Sequence, residues 1–165
     1  MKLGILSDTH DHLDYINKAV KCFKENGVDL VLHAGDYVAP FSLKPLAAYR
    51  GQFMGVRGNN DGEVLLLEQR ALEFGLDITR SPKHIEVREY KILLMHEPDE
   101  LDALIESQQY DLIVYGHLHR PAISQHKRTL VVNPGECGGW LYGKSSVALV
   151  SLVDKQAHIV ELKPS

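Results

Sequence analysis

Lys2-Leu3-Gly4-Ile5-Leu6-Ser7-Asp8-Thr9-His10-Asp11 opens on an apolar run, Leu3, Ile5 and Leu6, that stops abruptly at Ser7. A run this short fits a buried strand. On a strand, residues i and i+2 share a face, so Asp8 and His10 at its carboxyl end are expected to converge on one point. A carboxylate and an imidazole placed together make half of a metal site. The other half must come from elsewhere in the chain.

Working outward, Leu13, Ile16, Val20 and Phe23 recur at three- and four-residue spacing, which predicts an amphipathic helix closed by Asn26-Gly27. Residues 28–34 read as a second buried strand, running into Gly35-Asp36. A short helix is expected over 41–49, begun near Pro40. A third strand is expected over 53–56, leading into Arg57-Gly58-Asn59-Asn60-Asp61-Gly62, and a helix over 63–74 stopped by Gly75. Strand and helix alternate here, the pattern of a parallel sheet with covering helices. The second half reads differently. Strands are expected over 84–88, 92–95 and 112–115, with a helix over 101–107. Two hairpins follow, 122–125 with 129–132 and 145–152 with 156–162. The expected fold is α/β: a four-layer α/β/β/α sandwich of two mixed sheets face to face, with helices outside.

At 165 residues the chain fits one domain, 1–165, and no repeat or linker divides it. A net charge of −4 lacks the basic footprint of a duplex nucleic-acid binder, so no stable nucleic-acid complex is expected. The longest apolar runs are far too short to span a membrane. The N-terminus enters a strand without a signal peptide's long apolar stretch, and two cysteines, Cys22 and Cys137, are too few for a disulfide framework. A cytoplasmic protein is expected.

Potential ligands recur where strands end: Asp8 and His10, then Asp36, Asn59 and His96, then His117 and His119 after Gly116. In open α/β sheets, sites form outside the carboxyl ends of strands, where chain-distant residues meet. These seven nitrogen and oxygen donors, with no thiolate, suit two divalent ions such as Mn, Ni, Fe, Co or Zn. Singly, each residue has a plain structural reading: Asp8 and Asp36 as helix N-caps, residues 58–62 as a turn. Jointly, those readings must all hold at once.

Asp8-x-His10, Gly35-Asp36, Gly58-Asn59-x-Asp61, His96 and Gly116-His117-x-His119 resemble the five ordered motifs of the calcineurin-like metallophosphoesterases. Asn133-Pro134-Gly135-Glu136 and the short uncapped chain resemble their small bacterial and archaeal phosphodiesterase branch, the YfcE type. The resemblance implies one metal on Asp8, His10, Asp36 and His119 and a second on Asp36, Asn59, His96 and His117, with Asp36 bridging. It places Asn59, Asn60 and Asp61 among the catalytic residues. It implies a phosphodiesterase working by attack of a metal-bridging hydroxide on a small phosphorylated substrate, such as a nucleotide or cyclic nucleotide. The alternatives are a phosphomonoesterase on a nucleotide or small metabolite, or a non-catalytic protein scaffold of the same fold. A homodimer is plausible by base rate.

Two positions depart from the pattern. Many family members carry His where this chain has Asn60, and relatives commonly have Gly where it has Glu97. An amide donates a hydrogen bond but cannot serve as an acid. His12, His33 and His84 fall outside the motifs and read as structural, and Cys137 as a buried thiol. Arg57 and Glu136 lie beside site segments as candidates for orienting ligands.

Overall fold

In the computed structural model, which describes residues 1–164, the opening apolar run forms strand β1 (Lys2–Leu6). Helix α1 (Leu13–Glu25) buries Ile16, Ala19, Val20 and Phe23 on the outer face of the first sheet. Gly4 lets it approach, because a Cβ there would lie 2.8 Å from the Phe23 ring. Parallel to β1 run β2 (Leu30–His33), β3 (Phe53–Val56) and β4 (Asp77–Thr79), with helix α2 (Val64–Phe74) between the last two.

The second sheet holds β5 (Lys83–Val87), β6 (Tyr90–Leu94), β7 (Leu112–Val114), β8 (Ala122–His126) and β9 (Thr129–Asn133), in the order β5-β6-β7-β9-β8. The β6-β7-β9 pairs are parallel and the edges antiparallel. Helix α3 (Leu101–Ser107) covers this sheet's outer face through Leu101, Leu104 and Ile105. The last hairpin, β10 (Ser145–Ser151) with β11 (Gln156–Leu162), crosses back and pairs antiparallel with β1. The two sheets therefore do not divide the chain at its middle.

Alternation along the strands sorts the core into layers. Leu3, Ile5, Leu30 and Leu32 of the first sheet meet Ile92, Leu94, Leu112, Val114, Leu130 and Val132 of the second. The intervening residues face helices: Leu6 and Val31 on one side, Leu93, Ile113 and Val131 on the other. Both sheets are mixed, and the architecture is the expected α/β/β/α sandwich.

The structure refines one local expectation and adds a strand that was not expected. The segment Pro40–Tyr49 is a 3₁₀ helix, consistent with Pro45 inside it, which has no N–H to give an α-helical bond and restricts the residue before it. Strand β4 had no signal in the sequence: it has three residues and buries only Ile78, too little for an alternating pattern to register. Among the described residues, no helix is long and apolar enough to cross a membrane.

Candidate metal centre

The seven donors gather where five loops leave the carboxyl ends of β1, β2, β3, β6 and β7. The first two loops are laced together: Asp8 N–H donates to Gly35 O at 2.9 Å, and His10 N–H to Asp36 O at 3.1 Å. The convergence of Asp8 and His10 is not the work of a shared strand face, as the spacing had led one to expect. The strand ends at Leu6, and both residues have left-handed backbone, φ +53° and +40°. Asp36, His117 and His119 share that conformation, at +62°, +65° and +55°. Such torsions are uncommon for residues with side chains, and they cluster where a site dictates the backbone.

Asp36, almost completely buried, stands between two groups. Its Oδ2 lies 3.6 Å from His10 Nε2 and its Oδ1 lies 3.5 Å from His96 Nε2. On the first side, ligand atoms of Asp8, His10, Asp36 and His119 all lie within 4.8 Å of one another. His119 Nε2 is 3.3 Å from Asp8 Oδ1, and the rings of His10 and His119 stack with centroids 5.2 Å apart. On the second side, Asn59 Oδ1 lies 2.8 Å from His96 Nε2 and 3.0 Å from His117 Nδ1. The bend after Gly116 sends His117 to one group and His119 to the other.

The donor chemistry fits a cation on each side. His96 Nδ1 lies 2.8 Å from the carbonyl of Ala34, which can only accept, so that nitrogen carries the proton. A neutral His96 then turns the lone pair of Nε2 toward Asn59 Oδ1 and Asp36 Oδ1, an arrangement of acceptors that a cation resolves. Across the site, Asp8 Oδ1 and His10 Nε2 are buried with no hydrogen-bond partner among the described residues. Burial pushes the Asp8 carboxyl above its usual range, with Asp36 adding repulsion, although His119 and His96 pull the other way. Unpaired buried carboxylate and imidazole atoms are costly unless something of opposite charge meets them.

A surrounding shell fixes these loops. Asp61, buried, accepts four backbone N–H groups: Tyr37 and Val38 on Oδ1 at 2.7 and 2.8 Å, Gly58 and Asp36 on Oδ2 at 2.7 and 3.1 Å. Its carboxylate therefore binds the second loop to the third. Asn60 gives Asp36 two bonds, from its backbone N–H at 2.9 Å and its amide at 2.7 Å. Gly58 must be glycine, since a Cβ there would overlap Asp36 Oδ1 and lie 2.8 Å from His96 Cε1. Glu136 Oε2 faces His119 Nδ1 at 3.4 Å.

His33 lies outside the motifs but directly beneath the site. Gly35 N–H donates to its Nδ1, so Nε2 carries the proton and donates to Thr9 Oγ1 at 3.2 Å, whose hydroxyl reaches Asp36 O at 3.3 Å. Burial, then the nearby His96 and His10, hold its pKa well below the usual value. No motif could have marked Thr9 and His33, because their link spans two loops. His12 packs on Trp140, His84 bonds Tyr110, and Cys137 is buried. Arg57 lies 3.6 Å from Glu68 and lines, with Arg80, Leu93, Met95 and Glu97, an open groove of about 940 Å³ that begins at Gly58 and Asn59.

Residues 1–155 match the model of the calcineurin-like phosphoesterase superfamily domain. The chain is 33% identical over 166 residues to phosphodiesterase MJ0936 of Methanocaldococcus jannaschii, covering 99% of this chain and 100% of that protein. It is 29% identical over 152 residues to phosphodiesterase YfcE of Escherichia coli, covering 82% of this chain and 78% of that one. A solved structure of an archaeal phosphodiesterase superposes with a TM-score of 0.91 at 33% identity, over 98% of this chain and 100% of that structure. Fold and site together define a phosphoesterase with a metal-binding centre. The chain belongs to the calcineurin-like phosphoesterase superfamily.

Proposed function

We propose that this protein hydrolyses phosphodiesters at a centre of two divalent ions, one held by Asp8, His10, Asp36 and His119, the other by Asp36, Asn59, His96 and His117. The observation that carries this reading is the division of Asp36, one carboxylate oxygen toward His10 and the other toward His96, with a complete donor set on each side. Divalent ions of the Mn, Ni, Fe, Co or Zn kind would supply Lewis acidity and an activated water or hydroxide, lowering its pKa from ~15.7 to ~7.

The chain's own residues do the rest. The Ala34 carbonyl holds His96 in the tautomer that frees Nε2, and Glu136 faces His119 from behind. Asp61 locks the Asp36 loop against the Asn59 loop. Asn60 stands at the mouth of the site with an amide that stabilises charge by hydrogen bonding and transfers no proton. The groove beside Asn59 admits one arm of a small phosphorylated substrate such as a nucleotide, with Arg57 and Arg80 on its wall. Metal-stripped protein, resupplied with single divalent ions, tests this on bis-p-nitrophenyl phosphate beside p-nitrophenyl phosphate. Metal-dependent turnover with the diester faster is expected. A faster monoester would replace the reading with a phosphomonoesterase, and no turnover with two ions bound would replace it with a scaffold.

A further inference from the structure

Trp140 is the only tryptophan in the chain and is 62% exposed, yet both its backbone N–H and its indole N–H are hydrogen-bonded to the metal-site segments. The buried carboxylate of Glu136 accepts the backbone N–H of Trp140 at 2.7 Å and that of Leu141 at 3.0 Å. The segment leading to it is stitched to the first metal loop, Cys137 N–H to Ser7 O and Gly138 N–H to Asp8 O, both at 2.9 Å. The indole N–H closes the ring of contacts by donating to the carbonyl of His10 at 3.2 Å. His12 backs the indole, its ring 4.6 Å away. A large apolar ring in water has no stability reason to be tied so to metal-site backbone. On the same rim, Arg120 follows His119 and stands 5.1 Å over the ring of Tyr142, itself half exposed.

We infer that Trp140 is a stacking platform for a nucleobase, which makes a nucleoside phosphodiester the preferred substrate class. This rests on the phosphodiesterase reading and adds a specificity-determining residue to it. The indole is bonded to the His10 carbonyl and the segment that carries it to the Asp8 carbonyl, so a base lying on its face has its attached phosphate close to the ions those residues would hold. A protein partner is the poorer occupant. The exposed rings stand beside His12 and Arg120, and the fixed orientation relative to the ligands has no purpose in a docking patch. Stacking on an aromatic side chain tolerates every base, so preference for a base over none is expected to exceed preference among bases.

Two measurements test the platform. The first is the ratio of kcat/KM for the p-nitrophenyl ester of thymidine 5′-monophosphate to that for the p-nitrophenyl ester of 1,2-dideoxyribose 5-phosphate, which share a leaving group and a sugar and differ in the base. The ratio is expected to be about 5- to 100-fold, to fall near one in Trp140→Ala, and to return largely in Trp140→Tyr. A ratio that survives Trp140→Ala, or starts near one while both esters are hydrolysed, overturns the platform and leaves the phosphodiesterase reading standing. The second needs no turnover: adenosine 5′-monophosphate is expected to quench the fluorescence of the single tryptophan, and ribose 5-phosphate not. Quenching without hydrolysis of either ester would uphold the platform and overturn the phosphodiesterase reading. Equal quenching, or none, would overturn the platform.

Discussion

Asn60 donates to Asp36 twice, through its backbone N–H at 2.9 Å and its side-chain amide at 2.7 Å. The amide stands at the position where the resemblance expects a proton-donating His, and it cannot donate a proton to a leaving group. Loss of a general acid costs typically ~10²–10⁴-fold. Turnover of aryl phosphodiesters is therefore expected to fall steeply as the leaving group's pKa rises. Asn60→His should recover part of that factor for poor leaving groups and little for good ones. A flat series for the unaltered protein would mean another residue supplies the proton.

Asp36 is the shared element of both donor sets. Asp36→Asn keeps the size and loses the charge between the two sides. Metal analysis is expected to find fewer than two ions per chain, and turnover to fall more than the ~10–100-fold typical of losing an outer-shell partner. Two ions retained with turnover unchanged would remove Asp36 from the bridging position.

Glu136 acts at one remove. Its Oε2 faces His119 Nδ1 at 3.4 Å while the same carboxylate accepts the N–H groups of Trp140 and Leu141. Glu136→Gln keeps one acceptor oxygen and removes the charge that favours a proton on Nδ1. Metal affinity is expected to weaken by ~10–100-fold. The stripped protein is expected to lose stability in urea unfolding as well, since hydrogen bonds to a charged group contribute ~1.5–3 kcal/mol each and this buried carboxylate accepts those of Trp140 and Leu141. Calorimetric titration of metal into stripped protein reads the difference directly.

Much of this centre was legible because strands and donors both leave local marks. Short apolar runs announced β1, β2, β3, β6 and β7, and each ran into residues whose only common property is an affinity for cations. What aims those residues was hidden. Asp8 and His10 meet through left-handed torsions, their N–H groups donating to the carbonyls of Gly35 and Asp36, not through strand alternation. The same holds for the chain from His33 through Thr9 to Asp36, and for Trp140 on His10: both are contacts between loops distant in sequence. The last hairpin's return to β1 was equally invisible, since an antiparallel pair carries no label for the sheet it joins.

His33 gives the fold a pH dependence. It is fully buried and held neutral, so below its ordinary value of 6.5 the unfolded chain takes up a proton that the folded chain does not. Stability of the stripped protein is expected to fall as pH drops below 6.5, His33 contributing up to about 1.4 kcal/mol per pH unit, and to be independent of His33 above it. His33→Gln should flatten the acid side of a urea-unfolding series relative to the unaltered protein. Identical slopes would show that His33 is protonated in the fold as readily as outside it.

Asp61 separates a loop-holding carboxylate from one that meets the reacting atoms. Both its oxygens are spent on backbone, two N–H groups each. Asp61→Asn would turn an amide NH₂ against two N–H donors and discard the charge. Hydrogen bonds to charged groups contribute ~1.5–3 kcal/mol each, so a loss of at least about 3 kcal/mol is expected in urea unfolding of stripped protein. Metal affinity should weaken with it, because Asp36 N–H and Gly58 N–H are released together and the two loops lose their common anchor. Turnover would fall as a consequence of lost metal and return in part at high metal concentration. A collapse of turnover with the unfolding midpoint unchanged and both ions bound would instead put Asp61 at the substrate.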